Sequence, residues 1–443
     1  MAESAAMHHL APRPRRVASL AVALTLIVAA CGADGPSPSP SATPTPPTAA
    51  PSPAGPSPTS SGSAGDPNAA LYAEIEAQVA ALRELDPKAD VNRTVLDEDG
   101  LRKHVRELLA EELDTPEAAA SERLLKAMGL IPRDASIRDL YEEALTSQLA
   151  GQYDPDERVM YLTSRSGAIG PTQQIAYAHE FVHALQDQYF DLDAYLGEET
   201  DQSDRQTARS ALVEGDATLL MTYWAQQHLT ADELAEVLSA VDPEAQAILD
   251  RMPKIISESL LFPYQAGLNL VIGQQLAGGW EAVDAMFADP PASTEQVLHP
   301  DKYQAREAPA VVAFPDDLAA RLGDGWTVAA QDTMGEFALD VWLRDVGEVR
   351  AGQSATAAEG WGGDRVALVE GPSGAYGLAF LSAWDTTDDA GEFAEAAEGL
   401  VAAMRADGQS AELLLPQPGQ VVLLIGDGPD TLGRLANVLG FAG

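Results

Sequence analysis

The chain has 443 residues, a hydrophobic fraction of 46% and a formal net charge of -41, from Lys+Arg 27 against Asp+Glu 68. A chain of this length and hydrophobicity can bury the cores of two or three globular domains. So acidic a surface repels nucleic acid and anionic lipid headgroups, which excludes both as expected partners.

The first 31 residues have the pattern of an export signal. Three arginines form a basic segment, and the apolar stretch 17–30 that follows is too short to span a bilayer comfortably. Cys31 comes directly after two alanines, as in a bacterial lipobox, and the chain has no other cysteine, so no intramolecular disulfide is possible. We predict that Cys31 is lipidated and anchors the protein to the cell membrane, facing outside the cytoplasm. The alternative is a plain secretory signal.

Residues 32–68 consist almost entirely of Pro, Ser, Thr, Ala and Gly. Such a segment has too little apolar surface to form a core, so we predict a disordered tether with polyproline-II character. Extended at about 3.1 Å per residue, it would hold the folded part on the order of 100 Å from the membrane. A proline-rich ligand for a binding domain is the alternative.

From residue 69 the sequence predicts helices, first in an N-terminal helical region over 69–135. The predicted helices cover 69–85, 101–113, a segment that begins at Thr115-Pro116, and one from Ser136 to about residue 148. The pattern then changes, because 152–156 indicates a turn and 158–163 is rich in strand-forming residues.

A second run of predicted helices completes a domain over 136–305. These helices cover 171–188, 205–228, 231–240, 243–250, 255–276 and 280–288, with a kink expected at Pro263. From residue 306 to the end, strands and helices alternate, which predicts an α+β C-terminal domain. The predicted strands are 326–330, 366–369, 378–382, 412–415 and 421–425, and the predicted helices are 334–344, 390–405 and 431–439.

The helix predicted over 171–188 carries the sequence HEFVH, from His179 to His183. Histidines four residues apart lie on one face of a helix, so their imidazoles can bind a single Zn²⁺. Glu180 lies about 100° around the helix, where it can act as general base without being a ligand. The residues around the pair are mostly apolar, so both rings are expected to be buried, where unpaired imidazoles would be costly. This favours a zinc site over two ordinary helical histidines.

A zinc site of this kind needs a third protein ligand and one open position. A third histidine in the order HExxHxxGxxH is excluded, because Gln186 and Tyr189 occupy the last two required positions. Glu214, on the helix predicted over 205–228, is the best candidate. No residue three, four or seven positions from it is basic, so its carboxylate needs another cation. The weaker candidates are Asp216, Asp191 and His228.

The segments HEFVHALQDQYFDL and ALVEGDATLL resemble the gluzincin-type zinc peptidases. Together with YDPDERVMYL, FPYQAGLNLV, PPASTEQVLHPDKY and EGWGGDRV, they are similar to uncharacterised bacterial exported proteins with an HExxH metallopeptidase motif. The similarity covers most of the chain from about Leu130 onward. It implies a zinc-dependent hydrolase that binds one Zn²⁺ through His179, His183 and Glu214 and uses Glu180 as its base.

The chain departs from the gluzincin pattern at one position. Thr218 stands where gluzincins carry an aspartate that orients the first histidine, so the candidates for that role are Thr218, Asp187 and Asp216. The predicted fold class is α+β. A mainly helical zincin-like catalytic domain, with a small antiparallel sheet before the HExxH helix, precedes the α+β C-terminal domain.

The predicted reaction is hydrolysis of a peptide bond in a peptide or protein substrate, with Glu180 transferring the proton to the leaving amine. Tyr264 and His299 are candidates for stabilising the oxyanion, but core packing for Tyr264 and a helix-end position before Pro300 for His299 are the favoured explanations. Two other functions stay open. One is a non-catalytic binding or scaffold lipoprotein with a structural or degenerate zinc site, and the other is hydrolysis of another amide, such as cell-wall peptide.

Overall fold

The structure is a computed structural model that describes residues 23–24, 67–163, 169–197, 201–239 and 242–441. Predicted lipidation at Cys31 and residues 32–66 of the tether predicted over 32–68 lie outside these residues. The α+β class is confirmed, since helices make up most of the chain and a five-stranded sheet lies near its C-terminal end.

The elements before residue 306 are mainly helical. The helices are α1 (Ala69–Arg83), α2 (Glu98–Leu113), α3 (Pro116–Ala127), α4 (Ile137–Gln148), α5 (Pro171–Phe190), α6 (Leu192–Leu196), α7 (Ser203–His228), α8 (Ala231–Ser239), α9 (Pro243–Arg251), α10 (Lys254–Ala288), α11 (Thr294–Leu298) and α12 (Pro300–Ala305). The strands are β1 (Ala23–Leu24), β2 (Asn92–Leu96), β3 (Leu149–Asp154) and β4 (Val159–Thr163).

These four strands form a sheet in the order β1-β3-β4-β2, which packs against α5. Strands β3 and β4 are antiparallel, but β2 pairs with β4 in parallel, so the sheet is mixed and the prediction of an antiparallel sheet was wrong in this respect. The turn predicted at 152–156 was also placed too early, because Gln152, Tyr153 and Asp154 belong to β3. Glycine and aspartate are poor strand formers, and it is the pairing with β4 that makes this segment a strand.

Helix α10 contacts α7 along much of its length, and both contribute to the largest apolar core. Its backbone departs from helical geometry at Gly278 and Gly279, and the residues around Pro263 keep helical dihedral angles. Glycine can adopt the positive φ of 68° found at Gly279 at little cost. By length and apolar composition α10 could cross a membrane, but half of its most apolar window is buried inside this fold.

The C-terminal part is built on an antiparallel sheet in the order β5-β6-β7-β9-β8. Its strands are β5 (Thr327–Asp332), β6 (Trp361–Glu370), β7 (Tyr376–Trp384), β8 (Ser410–Leu414) and β9 (Gln420–Gly426), and its helices are α13 (Leu318–Leu322), α14 (Gly335–Asp345), α15 (Ala351–Ala358), α16 (Thr387–Ala406) and α17 (Pro429–Leu439).

Alternate residues of this sheet enter two different cores. Leu423 and Ile425 of β9 face α14 and α16, whereas Val422 and Leu424 face α13 and α17, as the two-residue period of a strand requires. The first of these cores also includes side chains from α3, α4 and α10. Residues on both sides of the predicted domain boundary at residue 306 therefore belong to the same apolar core.

Candidate metal centre

Helix α5 carries the HExxH segment through the interior of the protein. The helix begins with Pro171 in its first turn, and its middle turns are buried. His179, Glu180 and His183 are 1%, 0% and 1% exposed, respectively. Polar groups buried this deeply need partners inside the protein.

Three side-chain atoms meet beside α5. Nε2 of His179 lies 3.0 Å from Nε2 of His183 and 3.1 Å from Oε2 of Glu214, and that oxygen lies 3.5 Å from Nε2 of His183. Ligand atoms about 2.0–2.1 Å from a tetrahedral Zn²⁺ lie about 3.3 Å from one another. The three residues therefore have the donor types and the spacing to hold the zinc ion predicted from the sequence.

Glu214 reaches α5 because α7 passes unusually close to α10. A Cβ atom added to Gly215 would lie 2.3 Å from the carbonyl oxygen of Gly267, and one added to Gly267 would lie 1.9 Å from the carbonyl oxygen of Ala211. Only glycine leaves room for the two backbones at this crossing. The crossing fixes the turn of α7 from which Glu214 projects.

Gln186 determines which nitrogen of His183 faces the cluster. Its amide nitrogen donates to the carbonyl oxygen of Val213 at 3.0 Å and to Oδ2 of Asp216 at 2.9 Å. Its amide oxygen must then accept from Nδ1 of His183, which is 2.8 Å away. Nε2 of His183 is left with its lone pair toward the other two ligand atoms, as metal binding requires.

A buried ion pair keeps Gln186 in its position. Nε of Arg83 donates to Oδ1 of Asp216 at 2.9 Å, and its Nη2 lies 2.6 Å from Asp284. Arg83 is 0% exposed, and its guanidinium lies 4.7 Å from the centre of the Trp280 ring. Of the three predicted orienting residues, Asp216 thus supports His183, and it does so through Gln186 rather than directly.

The other two predicted orienting residues form no hydrogen bond with either histidine in the described part of the chain. Asp187 accepts hydrogen bonds from the hydroxyl of Tyr153 at 3.0 Å and from the backbone of Leu192 at 3.3 Å. The hydroxyl of Thr218 and Nδ1 of His179 are both buried, and neither has a hydrogen-bond partner among the described residues. The first histidine therefore lacks the carboxylate partner that the gluzincin resemblance implied.

Glu180 lies beside the three-atom cluster without joining it. No side chain among the described residues hydrogen-bonds to its carboxylate, and burial raises the pKa of Glu180 to about 8, although the charge of His183 and a backbone hydrogen bond from Tyr153 oppose the shift. Strand β3 packs directly against it, since a Cβ atom at Gly151 would lie only 2.9 Å from Cγ of Glu180. A buried carboxylate without a hydrogen bond from a side chain destabilises a fold, and such groups concentrate at functional sites.

The electrostatics of the cluster favour one positive charge at its centre. Burial opposes ionisation of Glu214, but the charge and hydrogen bonds of His183 and His179 outweigh it and lower the pKa of Glu214 to about 2. Burial also lowers the pKa of His183, yet the adjacent Glu214 raises it to about 9. The carboxylate is thus ionised and draws a cation to the point where the three ligand atoms meet.

A family model described as "Domain of unknown function (DUF8575)" matches residues 321–424, which include most of the C-terminal sheet and exclude all three cluster residues. No curated protein and no solved structure matches the chain. The function of the metal centre therefore has to be inferred from its geometry.

The two predicted oxyanion stabilisers lie in different surroundings. The ring of Tyr264 stacks near that of His179, with 6.0 Å between centroids, and Tyr264 lines a cavity that also reaches Glu214. His299 instead pairs with Glu336 at 2.8 Å and does not line that cavity. The structure therefore brings Tyr264 to the metal centre and leaves His299 without a contact there.

The weaker candidates for the third ligand also have other roles. The carboxylate of Asp191 accepts from the backbone of Ala194 at the start of α6. His228 is exposed, and its ring lies 5.7 Å from that of Trp224. Asp216 is committed to Arg83. Among these residues Glu214 alone reaches both histidines.

A second group of acidic side chains already holds a cation. Glu295, Glu307 and Asp385 surround Nζ of Lys302 at 2.6, 2.8 and 2.5 Å, respectively. The ammonium group occupies the position that a metal ion would need, so this group is an ion-pair cluster.

Proposed function

We propose that the protein is a zinc-dependent metallopeptidase of the HExxH type. The observation that carries the proposal is the meeting of Nε2 of His179, Nε2 of His183 and Oε2 of Glu214 within 3.0–3.5 Å of one another. Lipidation at Cys31, which the sequence predicts, would place this enzyme on the outer face of the cell membrane.

The residues around the cluster suit amide hydrolysis. When bound, zinc supplies Lewis acidity toward water and toward the carbonyl of a peptide bond. The buried carboxylate of Glu180 accepts the proton of the attacking water and passes it to the leaving amine. Tyr264, which lies beside His179, is the candidate donor to the oxyanion.

A purely structural zinc site would have no use for Glu180. Its two oxygens are buried, and burial raises the pKa of Glu180 to about 8 despite a backbone hydrogen bond from Tyr153, so the fold bears a cost that the metal ligands do not require. This observation favours the enzyme over a binding or scaffold lipoprotein with a structural or degenerate site.

The edge of β3 supports a peptide as the substrate. Ala23 pairs with Gly151 in antiparallel fashion, and Gly151 is the residue packed against Glu180. This edge can thus take an extended strand directly beside the proposed base, which is a common way to bind a peptide main chain. Export processing before Cys31 would remove Ala23 and Leu24 and leave the edge free for a substrate. Cell-wall peptide, which also carries a main chain, stays open as a target.

The deciding experiment measures zinc content and cleavage of an unstructured protein in parallel. We expect about one Zn²⁺ per chain for the unaltered protein and for Glu180→Gln, with cleavage by the unaltered protein only. Glu214→Ala should lose zinc affinity, because it removes the one anionic ligand. Zinc bound equally by the unaltered protein and Glu180→Gln, without cleavage by either on varied substrates, would reject a peptidase. Unchanged zinc affinity in Glu214→Ala would reject the third ligand.

A further inference from the structure

A cavity of about 420 Å³ reaches Glu214, one of the three proposed metal ligands. Tyr264 also forms part of its wall, and side chains of α2, α3, α4, α6, α7, α10, α14 and the C-terminal sheet contribute the remainder. Representative apolar side chains of that wall are Leu109, Leu113, Leu124, Leu260 and Phe337.

The charged groups on this wall are all acidic. They are Glu112, Glu214 and Asp332, and no lysine, arginine or histidine is among the described residues that line the cavity. Glu214 binds the two histidines, and Asp332 accepts hydrogen bonds from Ser203. Glu112 makes no hydrogen bond and no ion pair among the described residues, although it is only partly exposed.

Glu112 lines the same cavity as Glu214 and Tyr264. It follows Leu109 by three residues, and so lies about one turn further along α2. Leu109 and Tyr264 belong to the same apolar cluster, and the ring of Tyr264 stacks near His179. The acidic group and one proposed metal ligand, Glu214, therefore line one cavity.

We propose that this cavity receives a lysine or arginine side chain of the substrate, whose charged end pairs with Glu112. The inference rests on the proposed peptidase function and names the substrate class for that site. A basic side chain matches both features of the cavity, because its methylene groups pack on apolar walls while its terminal charge forms a charge-assisted hydrogen bond.

An apolar substrate side chain would fit this cavity less well. It would leave the carboxylate of Glu112 buried against hydrocarbon without a partner, which costs free energy. A cation would avoid this cost by pairing with the carboxylate. Burial, with a smaller contribution from neighbouring Glu111, raises the pKa of Glu112 to about 8. A cation bound beside Glu112 would stabilise its ionised form and so offset the free-energy cost of ionising it there. The net charge of -41 adds long-range attraction for basic peptides.

The test measures binding rather than turnover. The full chain carrying Glu180→Gln is titrated calorimetrically with two short peptides that differ only in having arginine or citrulline, its neutral isostere, at one position. We expect the arginine peptide to bind about tenfold to one-hundredfold more tightly, the range for a hydrogen bond between charged groups. Adding Glu112→Gln should remove this difference, whereas adding Glu111→Gln, at the exposed neighbour, should preserve it.

Three results would overturn the proposal. These are equal affinity for the two peptides, a preference for arginine that survives Glu112→Gln, and tighter binding of a norleucine peptide than of the arginine peptide. Because the protein used for binding lacks Glu180, these results are independent of whether the protein cleaves peptides. Cleavage by the unaltered protein with no arginine preference would reject this inference alone.

Discussion

Gly151 of β3 lies directly against Glu180 of α5, so close that a methyl group at position 151 would be 2.9 Å from Cγ of Glu180. Gly151→Ala should therefore push the carboxylate out of position while leaving the three ligand residues unchanged. Because a displacement of about 1 Å can lower a catalysed rate about 100-fold, we expect a loss of this size in cleavage rate with unchanged zinc content.

Gly391→Ala is the matched control for this substitution, because nothing lies within 4 Å of the added Cβ atom. It should leave both cleavage and zinc content unchanged. Full cleavage activity in Gly151→Ala would show that Glu180 does not need its present position.

Gln186→Ala should weaken zinc binding by about 10- to 100-fold, the usual effect of removing a residue that orients a metal ligand. The substitution removes the acceptor for Nδ1 of His183, which then has no group to hold its tautomer. The measurement is a competition titration with a zinc chelator. Gln188→Ala, on the same helix but bonded to Lys88 and Ala89, should leave zinc affinity unchanged. Equal affinities of the two variants would contradict the role of Gln186.

Gly267→Ala should destabilise the protein by about 3 kcal/mol, because the added Cβ atom would lie 1.9 Å from the carbonyl oxygen of Ala211 and force α7 and α10 apart. Gly273→Ala lies on the same helix with nothing within 4 Å of its Cβ atom, and should stabilise by about 0.5–1 kcal/mol through helix propensity. Urea unfolding measures both free energies. Similar values for the two variants would show that α7 and α10 are further apart than described.

Asp204 should make the protein less stable as the pH rises. Burial raises its pKa to about 8, although hydrogen bonds from Thr294 oppose the shift, and Asp364 and Glu295 add repulsion. Between about pH 4 and pH 8 the unfolded chain releases this proton while the folded chain retains it, so the free energy of unfolding falls across that range.

Asp204→Asn removes this ionisation and keeps an oxygen to accept from Thr294. It should be more stable than the unaltered protein at pH 8 by more than about 1 kcal/mol, with a smaller difference at pH 4. Asp301→Asn, at an exposed position, serves as control. A stability difference that does not change with pH would show that Asp204 is ionised in the folded protein.

Local patterns in the sequence predict much of the architecture, because helical and strand periodicities depend on neighbours a few residues away. Most helices begin and end near their predicted residues, and the C-terminal strands lie where β-forming runs were found. Strands β2 and β3 were missed, since pairing with β4 rather than local propensity makes them strands.

At the candidate metal centre, the sequence by itself determined that His179, Glu180 and His183 share one buried helix. Their spacing places them on adjacent faces of a helix, and this does not depend on the tertiary structure around it. It also indicated Glu214, from the absence of a basic neighbour on its own helix. Only the tertiary structure decided which groups support them. Gln186 is held by Val213 and Asp216 of α7, and Gly151 of β3 packs against Glu180. Such contacts depend on how helices and strands pack rather than on any pattern along the chain.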